Sequence, residues 1–557
     1  MLFRNFSKIG LVIILSLVTT KTNASLNNKQ PNFNNRAKEV TSYWSARKIQ
    51  DSDTSQHKIY QAIAAYQVGK INLANEIIDD VINLNYDNSS QSHIGAFLSM
   101  PLTYAYMRYG QSMGDQRKSV LIKKVKSFDP FTGASENHKL LNISAAYILA
   151  EYLPGSNWKN YSNEIVYQKA KEFLQKEGKD EFKNGLWEFD SSNYIAFHIN
   201  SWLLLHDFAK DTKIKKLAKI SLDSIFSGIA PEIIDGTWAA STSRTYTPTN
   251  ANYRDIDGNI SFSWLAFGHN RKTMGEARTM ILAVSNYRIP IEIVASAVKR
   301  DKSSVPYVHR EKHSRVKSGA YPFYKYSWID RKYGIYSTYD GNEVTDFTSG
   351  QYHKWGIAWN NGFFTLKDVN NANYPTGDTA YNQVFQYKNV LLGVTIKPRE
   401  IKRYEKNIVE RFFENEWEFM QGGDGVYIAF HNIKNYRGWV IETASQDQFP
   451  SLQEFANRIL NKSKLNTSKI DNIAPNLSYI STNGDSIEIT YQNDKTYINK
   501  TQRVNGNLMN YQSWSLIENP WMKFDEENSE LILKGEGYIK KYNIDKLTVT
   551  KVTGKDY

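Results

Sequence analysis

From about residue 37 to residue 298 the apolar positions recur at intervals of three and four. Ile59, Ala62, Ile63 and Tyr66 form one such series, and Ile214, Leu217, Ala218, Ser221, Leu222 and Ile225 form another. Side chains at this spacing share one face of an α-helix, so each series predicts an amphipathic helix with a buried stripe. Asp129-Pro130, Leu153-Pro154-Gly155 and Ala230-Pro231 break the series, and no strict repeat period is present. Beyond residue 320 the period falls to two. Segments 334–339, 426–430, 486–491 and 531–533 read as strands separated by Asn-Gly, Asp-Gly and Gly-Gly turns. The pattern predicts an α+β multidomain chain: helical hairpins over 25–298, then an antiparallel β-sandwich over 321–557. Between them, Lys299, Arg300, Lys302, Arg310, Lys312, Arg315 and Lys317 stand among few large apolar residues, which predicts a basic surface linker over 299–320. His309 and His313 fall in that stretch without a carboxylate pattern that would make them a metal site.

Residues 1–24 read as a cleavable signal peptide. Arg4 and Lys8 precede an apolar run over 9–18, and Thr22-Asn23-Ala24 supplies small residues before Ser25. The run is shorter than the roughly 20 residues that span a bilayer, so the expected location is periplasmic or secreted, with no integral membrane segment after processing. The chain has no cysteine, which excludes disulfides, thiol catalysis and thiolate metal sites and leaves stability to packed cores. Its 41% apolar and 13% aromatic residues are ample for that. Loss of Arg4, Lys8 and Lys21 with the signal lowers the formal charge from +12 to +9. A basic exported protein attracts polyanions. No nucleic-acid-binding signature accompanies the charge, so nucleic acid is not an expected partner.

The polar residues that could carry chemistry recur where loops meet helices. Glu136-Asn137-His138 opens an apolar segment ending near residue 150. Here Asn137 either caps the helix or presents its amide at a rim, beside backbone N–H groups suited to a carboxylate. Trp187 and Glu188 precede Tyr194 and His198, which stand four apart on one helical face. A loop of small residues after Asp235 presents Trp238, Arg244 and Tyr246; Arg244 reads as a structural ion pair or a substrate contact, and Tyr246 as a core aromatic or a proton carrier. Three successive hairpins would thus bring polar residues to one end, and Glu136, Trp187, Glu188, Tyr194, Trp238, Arg254 and His269 are expected to line the cleft. Residues 253–259 have the composition of a calcium loop without its ligand spacing, so a structural divalent cation such as calcium is possible, no cofactor is required, and no metal ligand is assigned. Tyr352, His353, Trp355 and Trp359 either reach back over the cleft or fill a strand core.

On Asn137-His138, the Tyr194–His198 helix and Arg244 with Tyr246, the chain resembles exported polysaccharide lyases of the alginate, hyaluronate, chondroitin and heparinase type. The resemblance implies an N-terminal incomplete (α/α) toroid followed by a C-terminal antiparallel β-sandwich, and β-elimination on an acidic polysaccharide. The C5 proton of a uronic acid is scarcely acidic while its carboxylate is charged. Asn137, with Arg244 or His138, would neutralise that group and stabilise the enolate-like anion. Tyr246 beside Arg244 would serve as base and then acid, or His138 or His198 would take the proton and Tyr246 return one. Two other readings compete. An inverting glycoside hydrolase on a helical toroid would use two carboxylates from Glu136, Glu188, Asp190 and Asp235. A non-catalytic polysaccharide-binding protein needs only the charge and the aromatics.

Overall fold

The computed structural model describes residues 33–50, 53–84, 91–133, 135–188, 190–191, 194–243, 258–269, 271–298, 305–315, 322–340, 353–368, 382–395, 401–472, 474–493 and 498–553. Helices fill its first half, as the three-and-four spacing predicts. Ile59, Ala62, Ile63 and Tyr66 lie buried along the helix Ser55–Gln67, and Ile214, Leu217, Ala218, Ser221 and Leu222 along Thr212–Ile229. Polar caps set the starts: the Thr54 hydroxyl accepts from His57 N–H, Ser162 from Ile165 and Asp211 from Lys213. Each satisfies a backbone donor that the first turn leaves without a partner.

The helices stack as neighbouring hairpins: Ser55–Gln67 on Ile71–Asn83, Gln91–Tyr109 on Glu136–Tyr152, Glu136–Tyr152 on Asn163–Asn184, and Ile195–Phe208 on Thr212–Ile229. The short helix Met280–Val284 then packs back on the first, Phe33–Ala46. Trp44 donates its indole N–H to the Met274 carbonyl at 2.9 Å, and Arg36 donates to the Leu265 carbonyl at 2.9 Å. No described helix is long and apolar enough to cross a membrane. The expected signal, residues 1–24, lies outside the described residues.

The second half is antiparallel, and every strand read from the alternation is found: 334–339 within Tyr333–Asp340, 426–430 within Val426–Ile433, 486–491 within Ser486–Asn493 and 531–533 within Glu530–Gly535. An eleven-stranded sheet forms the layer next to the helices. Its centre holds Tyr333–Asp340, Phe323–Ile329, Tyr307–His313 and Ile517–Asn519 as neighbours in that order. A six-stranded sheet covers its far face, with Ile335, Trp355 and Phe364 packed against Ile428, Phe430 and Trp439. Trp355 and Trp359 are therefore strand core. Trp355 stacks on Trp439 at 4.4 Å between ring centroids, a pairing worth about 1 kcal/mol beyond its buried area. Gly393 makes room for that ring, since a Cβ there would fall 1.9 Å from the Trp439 indole. The helix Leu452–Lys462 and a five-stranded sheet cover the six-stranded sheet in turn.

The expected surface linker is corrected in part. Residues 299–304 and 316–320 lie outside the described residues, but 307–313 is a strand near the middle of the large sheet. Tyr307, His309, Glu311 and His313 alternate as its buried face. The strand was hidden because three of those four inward residues are ionisable, so alternation of polar with polar leaves no hydrophobic signal. Their place inside is stabilised by Lys325 on the neighbouring strand, which pairs with Glu311, and by Glu232 of the helical module, 4.0 Å from His309.

Candidate active site between the modules

The starts of the helices Glu136–Tyr152 and Ile195–Phe208 and the ends of Asn163–Asn184 and Thr212–Ile229 meet the large sheet at one interface, where two buried charge clusters form. Around the first, Ser135 caps its helix by accepting from His138 N–H, so Asn137 is not the cap. Asn137 is instead buried, and its side-chain amide donates to the Glu188 carboxylate. Glu136, expected to face substrate, is turned inward. Its carboxylate accepts the backbone N–H groups of Trp187 at 3.2 Å and Glu188 at 3.0 Å, and pairs with Arg315 at 2.7 Å. Arg315 also reaches Glu177 at 2.6 Å and Asp180 at 2.9 Å. Glu136 thus folds the 185–190 loop over Asn137, and Arg315 fastens the sheet to it.

His198 is completely buried between Glu181, at 3.2 Å, and Glu136, at 3.8 Å. Burial alone lowers its pKa, but the Glu181 hydrogen bond and the charges of Glu136, Glu181 and Glu188 outweigh that and raise it to about 9. At neutral pH it is an imidazolium with no basic lone pair, which removes it from the candidates for proton abstraction. Because the folded pKa lies above the unfolded value of 6.5, its contribution is complete below pH 6.5 and is lost as pH rises through about 9. The shift corresponds to stability on the order of 3 kcal/mol. Urea unfolding at pH 6 and pH 9 should show a larger loss for the wild type than for His198→Asn. Equal losses would mean that His198 is not the titrating group.

The second cluster surrounds Lys325, which is buried on the strand Phe323–Ile329. Its ammonium donates to Asp190, to Glu311 at 2.6 Å and to Glu232 at 3.0 Å. His313 and His309 stand 3.0 Å and 3.2 Å from Glu311 oxygens, and Ser327 donates to Glu232 at 2.7 Å. Burial lowers the Lys325 pKa, yet the three carboxylates raise it well above the ordinary value. Asp190 moves the other way from a normal carboxylate: burial pushes it up to about 7 against the pull of Lys325. Burial pushes Glu311 up, yet Lys325, His309 and His313 hold it well below the ordinary carboxylate range. A cavity of about 60 Å³, lined by Glu181, Asp190, Glu311 and His313, joins the two clusters.

Asn137 and the sheet meet across this interface. Glu188, which holds Asn137, is two residues from Asp190, which holds Lys325. Opposite Lys325 and Ser327 in the next strand are Thr338 and Tyr336, on the same face of the sheet. The Tyr336 hydroxyl lies 2.8 Å from His353 Nε2, and His353 forms a two-way backbone bridge with Thr242. Burial, helped by Lys367, holds the His353 pKa well below its usual value, so this imidazole is neutral. His353 therefore joins the helical module through its backbone, while its side chain is buried against the sheet.

Arg244, Tyr246 and Arg254 lie outside the described residues, as do residues 253–257 of the calcium-like loop, and Tyr352. The segment that carries Arg244 and Tyr246 leaves the described chain at Ser243, next to the Thr242–His353 bridge. His138 is buried with its ring edge-on to Phe97 at 4.9 Å. Trp187 and Tyr194 are half-buried beside the cluster. Trp238 is fully buried, with its indole N–H on Glu232 at 3.2 Å, and is a core residue rather than a surface for sugar. His269 is also internal: Nε2 lies 2.9 Å from the Ser263 hydroxyl, and burial with nearby Arg36 lowers its pKa to about 3.

Sequence reasoning missed Glu177, Glu181, Glu232, Glu311, Arg315 and Lys325. A lysine flanked by Phe323, Tyr324 and Tyr326 was the available signal, because a charge in an aromatic strand needs a buried partner. Three groups of these side chains lie close enough to share a cation: Glu136 with Glu188 and His198, Asp190 with Glu311 and His313, and Glu136 with Glu177 and Glu181. In the second and third a protein cation, Lys325 or Arg315, already bridges the carboxylates, and in the first His198 is itself one of the three.

No family model matches the chain, and no curated protein matches it. Among solved structures it is similar to a heparinase III, at 9% identity and a TM-score of 0.32, over 81% of this chain and 85% of that one. A likeness that shallow carries no weight for activity.

Proposed function

We propose that the protein is an exported polysaccharide lyase that cleaves a uronic-acid-containing polymer by β-elimination. The observation that carries the reading is the Asn137 amide, buried at a helix start and held by Glu188, two residues before the Asp190 that bonds Lys325 of the sheet. An amide has two N–H groups. With one on Glu188, the other is left to bond a uronate carboxylate as its charge spreads into the enolate, where a fixed donor is worth most. Tyr246, on the segment that departs beside His353, is the group to which we assign proton transfer, with Arg244 as the neighbouring cation. His138 is the alternative base. The resting carboxylate of Glu188 is a positioning group in this scheme.

The hydrolase reading needs two carboxyl groups free to act on opposite sides of a glycosidic bond. Glu136 is engaged by Arg315 and two backbone amides, Glu188 by Asn137, and Asp190 by Lys325. None of these three is placed to serve as a mobile acid or base, and Asp235 by itself cannot supply the second carboxyl.

Incubation of the purified protein with alginate, hyaluronan, chondroitin sulfate, heparan sulfate and glucuronan tests the reading. Elimination gives an unsaturated uronate and a rise in ultraviolet absorbance. New reducing ends without absorbance would establish hydrolysis instead, and neither signal would leave binding alone. On the substrate so identified, Glu188→Gln should lower kcat by about tenfold to a hundredfold while KM changes little, since a charge-assisted hydrogen bond contributes about 1.5–3 kcal/mol. An unchanged kcat would show that Asn137 needs no support from Glu188.

A further inference from the structure

A basic groove is built into the outer wall of the helical module. The helices Asn163–Asn184 and Thr212–Ile229 pack side by side, and the turn after the strand Tyr538–Asn543 closes the groove between them, leaving about 630 Å³. That is within the roughly 300–1,000 Å³ of ligand sites in general. Lys176, Lys179, Lys213, Lys216 and Lys546 line it, against one carboxylate, Asp545. Asp545 is already committed to Lys183 at 2.6 Å and Lys179 at 3.5 Å. Among the described residues, Lys176, Lys213, Lys216 and Lys546 enter no ion pair, and all four are exposed.

We propose that this groove binds a second stretch of the acidic polysaccharide, apart from the reacting sugar; the inference rests on the lyase reading. Four unneutralised ammonium groups facing one concavity repel one another, and a linear polyanion relieves that repulsion while losing little of its own hydration. The floor is apolar, with Leu217 buried and Leu547 half-buried, and suits the C–H face of a pyranose ring. A membrane surface fits less well, since a concave groove cannot meet a flat layer of headgroups.

The test uses the full-length protein carrying K176A/K213A/K216A/K546A, compared with K123A/K462A/K464A/K469A, which removes as much charge elsewhere on the surface. Binding of fluorescein-labelled alginate and heparin is measured by anisotropy, in the Asn137→Ala background for whichever chain is cleaved. Phosphatidylserine vesicles form a separate arm. The groove variant should bind long chains about tenfold more weakly than the control, the scale for several exposed charge contacts removed together. Its kcat/KM should fall on long chains and hold on short oligosaccharides. Equal binding by the two variants, or a loss confined to vesicles, overturns the proposal. The lyase reading fails separately: if no polymer is cleaved but lysine-dependent binding of long chains persists, the groove stands without it.

Discussion

Lys325→Met should destabilise the protein by about 3–5 kcal/mol, the cost of removing one partner from a buried ion cluster. Methionine matches the length of the lysine stem, so packing changes little and the effect is electrostatic. Asp190, Glu232 and Glu311 then face one another without the ammonium that now bonds all three. Protonation offers an escape, and Asp190 is already pushed up to about 7 by burial. In the variant Asp190 should titrate still higher, since Lys325 no longer opposes its burial. A folded carboxyl with a raised pKa binds its proton more tightly than the unfolded one, so stability falls as pH rises above the unfolded value near 4. The deficit should therefore be small at pH 5 and largest at pH 8. Calorimetry across that range would reveal it, and a deficit independent of pH would point to lost packing instead. The same experiment reports on the interface, because Asp190 and Glu232 belong to the helical module and Lys325 and Glu311 to the sheet.

What the sequence makes legible follows from the kind of signal each element leaves. Helices and outer strands were readable where one face is apolar and the other is wet, as at Ile214 to Ala218 or 486–491. The strand Tyr307–His313 was not, since its inner face is His309, Glu311 and His313 and its pattern is that of a solvated linker. At the site, the concentration of polar residues at helix starts singles out Asn137 and His198 but does not show their surroundings. Asn137 was expected at a rim and is buried beneath the 185–190 loop, because Glu136 draws two backbone amides of that loop down onto it. His198 was a candidate base and is a structural cation. Roles of this kind depend on partners such as Glu181 and Arg315, far away in sequence, and no local spacing encodes them. Trp238 and His269 show the same limit from the apolar side. Aromatic and imidazole rings near a cleft in sequence were absorbed into the core once Glu232 and Ser263 supplied partners for their nitrogens.

On a substrate that the wild type cleaves by elimination, Asn137→Ala should lower kcat by about 10² to 10³, the range for loss of one fixed donor to a developing oxyanion. The side chain is small and polar, and its removal relieves Glu188 of its amide partner, so a modest stability cost accompanies the loss of rate. Circular dichroism and the unfolding midpoint separate the two. Asn137→Asp is the sharper variant: it keeps the volume, removes both N–H donors and sets a carboxylate against Glu188 and the substrate together. It should be at least as slow as the alanine form. KM should move less than kcat in both, because the donor strengthens as charge develops and contributes little to the ground state. Tyr246→Phe should cost about 10² to 10⁴ for a different reason, loss of the proton carrier. The two defects respond differently to the substrate. An ester of the uronate has no charge to neutralise and a more acidic C5 proton, so it should restore much of the rate to Asn137→Ala and none to Tyr246→Phe. A failure to rescue Asn137→Ala would separate Asn137 from carboxylate neutralisation, and near-normal turnover by Tyr246→Phe would return proton transfer to His138.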